Sequence, residues 1–187
     1  MKNALKRFLI LLLVLCVLFG AYAFISREKP LELGDTLSAK EFDVVVSRVE
    51  LSKQVSTETE DYGLPTDRKT GVKQAPEGSL MVSVVYTLEN NTDREISLKY
   101  KTISELRDNA GNVAEADPYH GDTDYYYNET EQKWKPFASL DKLPKGAAPV
   151  KCVANFDVPE SFGEKDSHPL KLKLMTALYE NYVYVID

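Results

Sequence analysis

SLMVSVVYTLENNTDREISL, residues 79–98, is the stretch that decides the fold. In its first half every second residue is apolar: Leu80, Val82, Val84, Tyr86 and Leu88. This period of two predicts a β-strand with one buried face. Asn90-Asn91-Thr92-Asp93 then predicts a turn, because Asn and Asp accept turn dihedrals and hydrogen-bond their own backbone. The alternation resumes at Ile96 and Leu98, so the stretch predicts two consecutive strands.

The same period recurs along the chain, in Phe42 to Leu51, Ile103 to Leu106, Val150 to Val158, Leu170 to Leu174 and Tyr182 to Ile186. In the first of these segments the apolar phase slips by one residue, which predicts a bulge between Val46 and Val49. About seven or eight short strands with polar turns, and no second helix, predict an all-β fold, an antiparallel β-sandwich.

Two segments interrupt this regularity and are predicted to be long surface loops. Lys53 to Gly78 is polar and contains few apolar residues, which is typical of a surface excursion. Glu115 to Leu140 instead combines aromatic and acidic side chains. Its aromatic residues are Tyr119, Tyr125, Tyr126, Tyr127, Trp134 and Phe137, and its acidic residues include Asp117, Asp122 and Asp124.

An unbroken apolar run extends from Phe8 to Ile25 and follows Lys2, Lys6 and Arg7. At helical rise it would span about 27 Å, close to the hydrocarbon thickness of a bilayer. The basic residues favour a cytoplasmic N-terminus, with the rest of the chain outside. The run is therefore interpreted as an N-terminal membrane-spanning or signal helix, with the anchor residues Phe8, Leu12, Leu15, Phe19 and Phe24. Ala21-Tyr22-Ala23 offers a cleavage site after Ala23, and cutting there would release a secreted domain.

The organisation predicted is a signal or anchor helix (1–25), a short linker (26–30) and one sandwich domain (31–187). Without its three leader cations the chain has 20 Lys and Arg against 29 Asp and Glu. This acidic balance argues against nucleic acid as a partner. Cys16 lies in the apolar run, so Cys152 has no partner for a disulfide within the domain. An exported domain without disulfides favours a bacterial source.

Four segments resemble the telokin-like, immunoglobulin-type domains of unknown function in exported Gram-positive bacterial proteins. They are LELGDTLSAKEFDVVVSRVE, GSLMVSVVYTLENNTDREISL, ISELRDNAGNVAEAD and LPKGAAPVKCVANFDVPES, in that order. The resemblance covers most of residues 31–187 and implies an immunoglobulin-like β-sandwich in the cell envelope. It implies no catalytic or binding residues, and the long aromatic segment departs from the family pattern.

Signatures of catalysis and of metal binding are weak. The sequence has no Gly-x-Ser-x-Gly elbow, His-Glu-x-x-His motif or phosphate-binding loop. Cys152 with His120 or His168 could pair a nucleophile with a base, but its place on the inward face of a strand predicts a buried thiol. Asp117, Asp122 and Asp124 could hold Ca²⁺, although their spacing matches no calcium loop. We therefore expect no enzyme and no cofactor.

The aromatic segment is the best candidate for a function. Tyr and Trp combine rigid apolar area with a polar tip, which suits contact with proteins or sugar rings. The sequence favours a non-catalytic extracytoplasmic interaction module that binds a protein or cell-wall glycan. The alternative is a glycan or small-ligand binding domain that uses Tyr119, Tyr125, Tyr126, Tyr127 and Trp134. We expect the Tyr triplet to form the contact surface and Trp134 to be buried support, unless the segment covers an open end of the sandwich.

Overall fold

A computed structural model describes residues 10–17, 29–56, 72–98, 103–115, 124–175 and 181–186. Its larger sheet contains, in spatial order, β11 (Lys133–Pro136), β10 (Asp124–Asn128), β13 (Val150–Pro159), β6 (Ser79–Asn90), β3 (Phe42–Ser52) and β2 (Thr36–Ser38). Its smaller sheet contains β1 (Lys29–Leu31), β15 (Asn181–Ile186), β14 (Leu170–Met175), β8 (Ile103–Arg107) and β9 (Val113–Glu115). We call these the six-stranded and the five-stranded sheet.

Shorter elements connect the strands of the two sheets. β4 (Gln54–Ser56) pairs with β5 (Val72–Gln74), and β7 (Ile96–Ser97) pairs with β12 (Lys142–Leu143). Single 3₁₀ turns occupy Phe137–Ser139, Glu160–Gly163 and Lys165–Ser167. The described part of the domain is therefore all-β, as the sequence predicts.

The main core lies between the two sheets. Inward-facing residues of β6 and β13 pack against inward-facing residues of β14 and β15: Val82, Val84, Tyr86, Leu88, Cys152, Ala154, Phe156, Leu170, Leu172, Tyr184 and Ile186. Tyr184 also joins the sheets through its hydroxyl, which donates to the carbonyl oxygens of Asp35 at 2.8 Å and Val44 at 3.2 Å. Burial raises the pKa of the Tyr184 phenol, because an apolar interior disfavours the phenolate.

Two local features predicted from the sequence, a bulge and a turn, are confirmed. The register between β3 and β6 shifts between Val46 and Arg48, as expected of a bulge. The turn after β6 is held by the buried Asn90, whose amide nitrogen donates to the carbonyl oxygens of Arg94 and Leu143. Asn90 also accepts from the Thr92 backbone N–H at 2.9 Å. An Asn side chain therefore satisfies the backbone groups of this turn.

The predicted antiparallel β-sandwich is confirmed except for one strand pair, and the predicted number of seven or eight strands is too low. β1 pairs with β15 in parallel, with Lys29 opposite Tyr182 and Leu31 opposite Tyr184. The described residues form fifteen strand segments. Several of them have only two or three residues, which is too short for the apolar pattern to indicate a strand. Lys29 and Pro30, predicted to belong to a linker, are part of β1.

Residues 10–17 form a helix of eight residues. Its apolar side chains, among them Leu12 and Leu15, are exposed. Among the residues that the structure describes, no helix is long and apolar enough to cross a membrane. Phe8, Phe19 and Phe24, the other predicted anchor residues, lie outside the described residues.

Candidate binding surface

The aromatic segment predicted as a loop contains a β-hairpin. β10 and β11 pair antiparallel, with Tyr125 opposite Pro136 and Tyr127 opposite Trp134. β10 also pairs with β13, so the hairpin extends the six-stranded sheet at one edge. The prediction of one long loop from Glu115 to Leu140 is therefore wrong. β10 and β11 are short, and the acidic and lysine residues within and beside them obscure the alternation of apolar and polar residues that would indicate strands.

The turn of this hairpin is held by polar side chains. The side-chain oxygen of Asn128 accepts from the Glu131 backbone N–H at 2.9 Å. The Glu131 carboxylate binds the ammonium groups of Lys133 and Lys135. Hydrogen bonds from Lys133 and Lys135 lower the pKa of Glu131 below its usual range. These contacts fix the loop that joins β10 to β11 and keep its net charge small.

The three consecutive tyrosines divide between the two faces of the sheet. Tyr126 is 8% exposed and packs into the main core beside its register partner Cys152. Tyr125 is 4% exposed and packs on the opposite, outer face. Tyr127 remains half-buried. Of the triplet expected to form a contact surface, only Tyr127 is therefore partly accessible.

A second buried cluster lies on the outer face of the six-stranded sheet. It consists of Met81, Val85, Tyr125 and Val153, and we call it the outer-face cluster. Ala75 and Trp134 pack against it. Ser83 and Asn155 are buried on the same face, and the Ser83 hydroxyl donates to Asn155 Oδ1 at 2.8 Å. The outer face is therefore partly a second interior, which the sequence did not predict.

At the hairpin edge this outer face changes from buried to accessible. Tyr127 and Trp134 share the face, with ring centroids 5.4 Å apart and ring planes at 69°. The Lys151 ammonium lies 5.9 Å from the centroid of the Trp134 ring. All three side chains are half-buried. We call Tyr127, Trp134 and Lys151 the aromatic surface.

Strand register explains why these three residues meet. Tyr127 is the register partner of Trp134, and Tyr126 is the register partner of Cys152. Tyr127 follows Tyr126 on β10, and Lys151 precedes Cys152 on the antiparallel strand β13. Tyr127 and Lys151 are therefore neighbours on the face opposite to the core. Sequence reasoning missed Lys151 because this residue lies outside the aromatic segment. Its place next to the inward-facing Cys152 indicated only that its side chain lies on the outer face.

Clefts elsewhere have different linings. One of about 750 Å³ is lined by Pro30, Leu31, Glu32, Leu33, Asp35 and Val185. Another of about 320 Å³ lies beside Lys53, Pro76 and Glu160. Neither of these two clefts is lined by a residue of the aromatic surface.

The other candidate residues form no site within the part of the chain that the structure describes. Tyr119, Asp117, Asp122 and His120 lie outside the described residues, and Asp124 begins β10. Within the described ranges, no group of three His, Cys, Asp or Glu side chains could hold a metal ion. Cys152 is buried, as predicted. His168 is half-buried, and it precedes Pro169 through a cis peptide bond.

Comparison with known proteins supports the architecture. No protein family and no curated protein matches the sequence. An uncharacterized beta-sandwich protein from Clostridium difficile 630 matches with a TM-score of 0.62 and 15% identity, over 86% of this chain and 95% of that one. A conserved hypothetical protein from Bacillus anthracis matches with a TM-score of 0.50 and 13% identity, over 81% and 93%. The chain therefore has the β-sandwich fold of uncharacterized proteins from Gram-positive bacteria.

Proposed function

We propose that this protein is a non-catalytic, extracytoplasmic interaction module that binds its partner through the aromatic surface. The carrying observation is the half-buried pair Tyr127 and Trp134 at the edge of a sheet face that is partly covered. Rigid aromatic rings on a strand offer contact area at low entropic cost. Tyr125 is buried in the outer-face cluster beside this surface and Tyr126 is buried in the main core, so neither is a contact residue.

The N-terminal segment supports a location at the cell membrane. Residues 10–17 form a helix whose apolar side chains point outward on all sides, with Leu13 66% exposed and Leu12 48% exposed. A helix that is apolar all round favours a nonpolar environment over water. We infer that the apolar run holds the domain outside the cytoplasmic membrane, with the N-terminus inside. The four sequence motifs further support placing the sandwich among telokin-like, immunoglobulin-type domains.

Glycan binding is the second candidate, and the aromatic rings of Tyr127 and Trp134 on paired strands favour it. Aromatic faces stack on the apolar faces of sugar rings. A partner protein could use the same rings. The two candidates differ in whether the partner survives digestion by protease.

The test uses the full-length protein in detergent micelles and insoluble envelopes from Gram-positive cells. Co-sedimentation of the Tyr127→Ser variant should fall at least about tenfold, because the accessible ring is lost. Its stability should fall by about 2 kcal/mol, because the variant loses one aromatic pair and part of the apolar burial of the ring. Val113→Ser is the matched control, because Val113 is 46% exposed on β9 of the other sheet.

Three outcomes separate the possibilities. Loss of binding in Tyr127→Ser alone supports the proposal, and normal binding by this variant contradicts it. Retention of binding after the envelopes are treated with protease favours glycan, whereas loss favours a protein partner. The native protein should be recovered with membranes, and a soluble form that begins at Phe24 would show cleavage after Ala23 instead.

A further inference from the structure

β3 has a neighbour on its outer side over only part of its length. β2 pairs with residues 43–45 of β3, and the Gly34 N–H donates to the carbonyl oxygen of Val46 at 2.8 Å. On its inner side β3 pairs with β6 from Phe42 to Ser52. In the described part of the chain, no strand pairs with residues 49–52 on the side away from β6. We call residues 49–52 the open edge.

The burial of the inward-facing side chains of β3 changes where β2 ends. Val44 and Val46 lie beside β2 and are 1% and 0% exposed. Leu37 of β2 is the register partner of Val44 and packs into the same core. Val49 and Leu51 also pack against this core, but both remain half-buried. The open edge therefore leaves apolar surface uncovered at the place where a further strand would bury it.

A cleft of about 750 Å³ lies on the same side of the sandwich. The turn from Glu32 to Asp35, which contacts β3 at Val46, lines this cleft together with Val185 of β15. β1 pairs with β15 only from Tyr182 to Tyr184, so this pairing stops one residue before Val185. Within the described residues, both sheets thus continue beyond this turn without a covering strand.

The charges on this side of the domain favour a basic occupant. Glu32 and Asp35 are exposed at the turn, and none of the described residues that line the cleft is a cation. Glu50 of the open edge forms an exposed ion pair with Arg48 at 3.3 Å, a contact that water screens. The whole chain has a net charge of −6. A basic segment is therefore attracted to this side, and an acidic segment is repelled.

We propose that the open edge binds an extended segment of a partner protein, which joins the six-stranded sheet as a further strand beside β3. The backbone of this segment pairs with the outward N–H and C=O groups of residues 49–52. Its alternate side chains are apolar and cover Val49 and Leu51, as Leu37 covers Val44. Its remaining side chains are basic. The open edge and the aromatic surface lie on opposite sides of the sheet, so this inference goes beyond the proposed function.

The test uses the full-length protein in detergent micelles and fluorescently labelled synthetic peptides. The probe is Lys-Val-Lys-Val-Lys-Val-Lys. One control has Glu in place of every Lys, and the other, Lys-Lys-Val-Val-Val-Lys-Lys, has the same composition without the alternation. Wild type should bind the probe at least about tenfold more tightly than either control, because only the probe combines an apolar strand face with positive charge.

Amide hydrogen exchange locates the bound probe. The N–H groups that residues 49–52 direct away from β6 should exchange more slowly when the probe is bound, because they acquire hydrogen-bond partners. Tyr127→Ser should bind the probe like wild type, since the aromatic surface is not part of this site.

Two variants of the open edge test the apolar and the charged contribution. Leu51→Lys places a charge on the inward face of the edge, which blocks strand addition, and should weaken binding of the probe at least about tenfold. Val150→Lys is the matched control, because Val150 is also half-buried against the core but lies on β13, and it should bind like wild type. Glu50→Lys changes an exposed side chain and leaves the core intact. It should bind the probe about fivefold more weakly and the acidic peptide about fivefold more tightly.

The outcomes separate a partner segment from other occupants of the edge. Equal binding of the probe and either control peptide, unchanged exchange at residues 49–52, or normal binding by both Leu51→Lys and Glu50→Lys would each overturn the inference. Dimerisation of wild type that Leu51→Lys abolishes would also overturn it, because a second copy would then occupy the open edge. Loss of probe binding in Tyr127→Ser would overturn it as well, whereas the envelope experiment tests the proposed function separately.

Discussion

The inner and outer faces of the six-stranded sheet are buried in different ways. The inner face packs against the five-stranded sheet and is apolar from Val46 on β3 to Tyr126 on β10. The outer face has a smaller apolar cluster around Val85, a buried polar pair of Ser83 and Asn155, and the half-buried aromatic surface at one edge. One sheet thus buries its inner face against the second sheet, while the edge of its outer face carries half-buried aromatic side chains.

The largest expected effect comes from a charge on the inner face. Val84 is 0% exposed and pairs with Ala154 and Val49 at the centre of the sheet. Val84→Asp should cost at least about 4 kcal/mol and unfold the domain, because a carboxylate there has neither water nor a cation. Circular dichroism and the fluorescence of Trp134 should both report the loss.

The control for that variant is Thr87→Asp, on the same strand but on the outer face, where the side chain is half-buried. It should cost only about 1 kcal/mol, the range of strand propensities. Equal destabilisation by Val84→Asp and Thr87→Asp would show that the two faces of the sheet do not differ in how well they tolerate a carboxylate.

A smaller effect is expected at the junction of the two sheets. Tyr184→Phe removes the hydroxyl that reaches the carbonyl oxygens of Asp35 and Val44 and should cost about 2 kcal/mol. The folded protein has a raised Tyr184 pKa, so its stability should be full below the ordinary value of 10.0 and should fall as pH rises above it. Urea midpoints between about pH 8 and pH 11 measure this fall. If the stability of the Tyr184→Phe variant falls with pH as steeply as that of wild type, burial of the Tyr184 phenol is not the cause of the fall.

The inner face could be predicted from the sequence, because burial between two sheets imposes a period of two. Val82, Val84 and Tyr86 show that period, and the structure buries each of them. The outer face could not be predicted, because Met81 and Val85 alternate with the polar Ser83 and resemble a solvated face. The parallel pairing of β1 with β15 depends on contacts between the two ends of the chain, which no local pattern encodes.

The candidate site was predicted only in part. The sequence indicated the aromatic segment, because Tyr125, Tyr126, Tyr127 and Trp134 are concentrated there. It did not indicate which rings are accessible, since that depends on the register between β10 and β13. Lys151 joined the surface through the same register. Composition thus found the segment, whereas strand pairing selected the residues.

The smallest expected effect concerns the polar pair on the outer face. Ser83→Ala removes the hydroxyl that donates to Asn155 Oδ1 at 2.8 Å. The loss should be about 1 kcal/mol, the net contribution of one hydrogen bond. Ser38→Ala, exposed on β2 of the same sheet, should change the urea midpoint by less than about half of that.

Ser83→Ala should leave envelope binding unchanged, because Ser83 lies in the covered middle of the outer face and not in the aromatic surface. A loss of binding without a loss of stability would extend the functional surface inward along β6. A loss of stability alone would separate the buried middle of the outer face, which supports the fold, from its accessible edge, which binds. The face that resembles a solvated surface in the sequence would then have two distinct roles, divided between β6 and the β10–β11 hairpin.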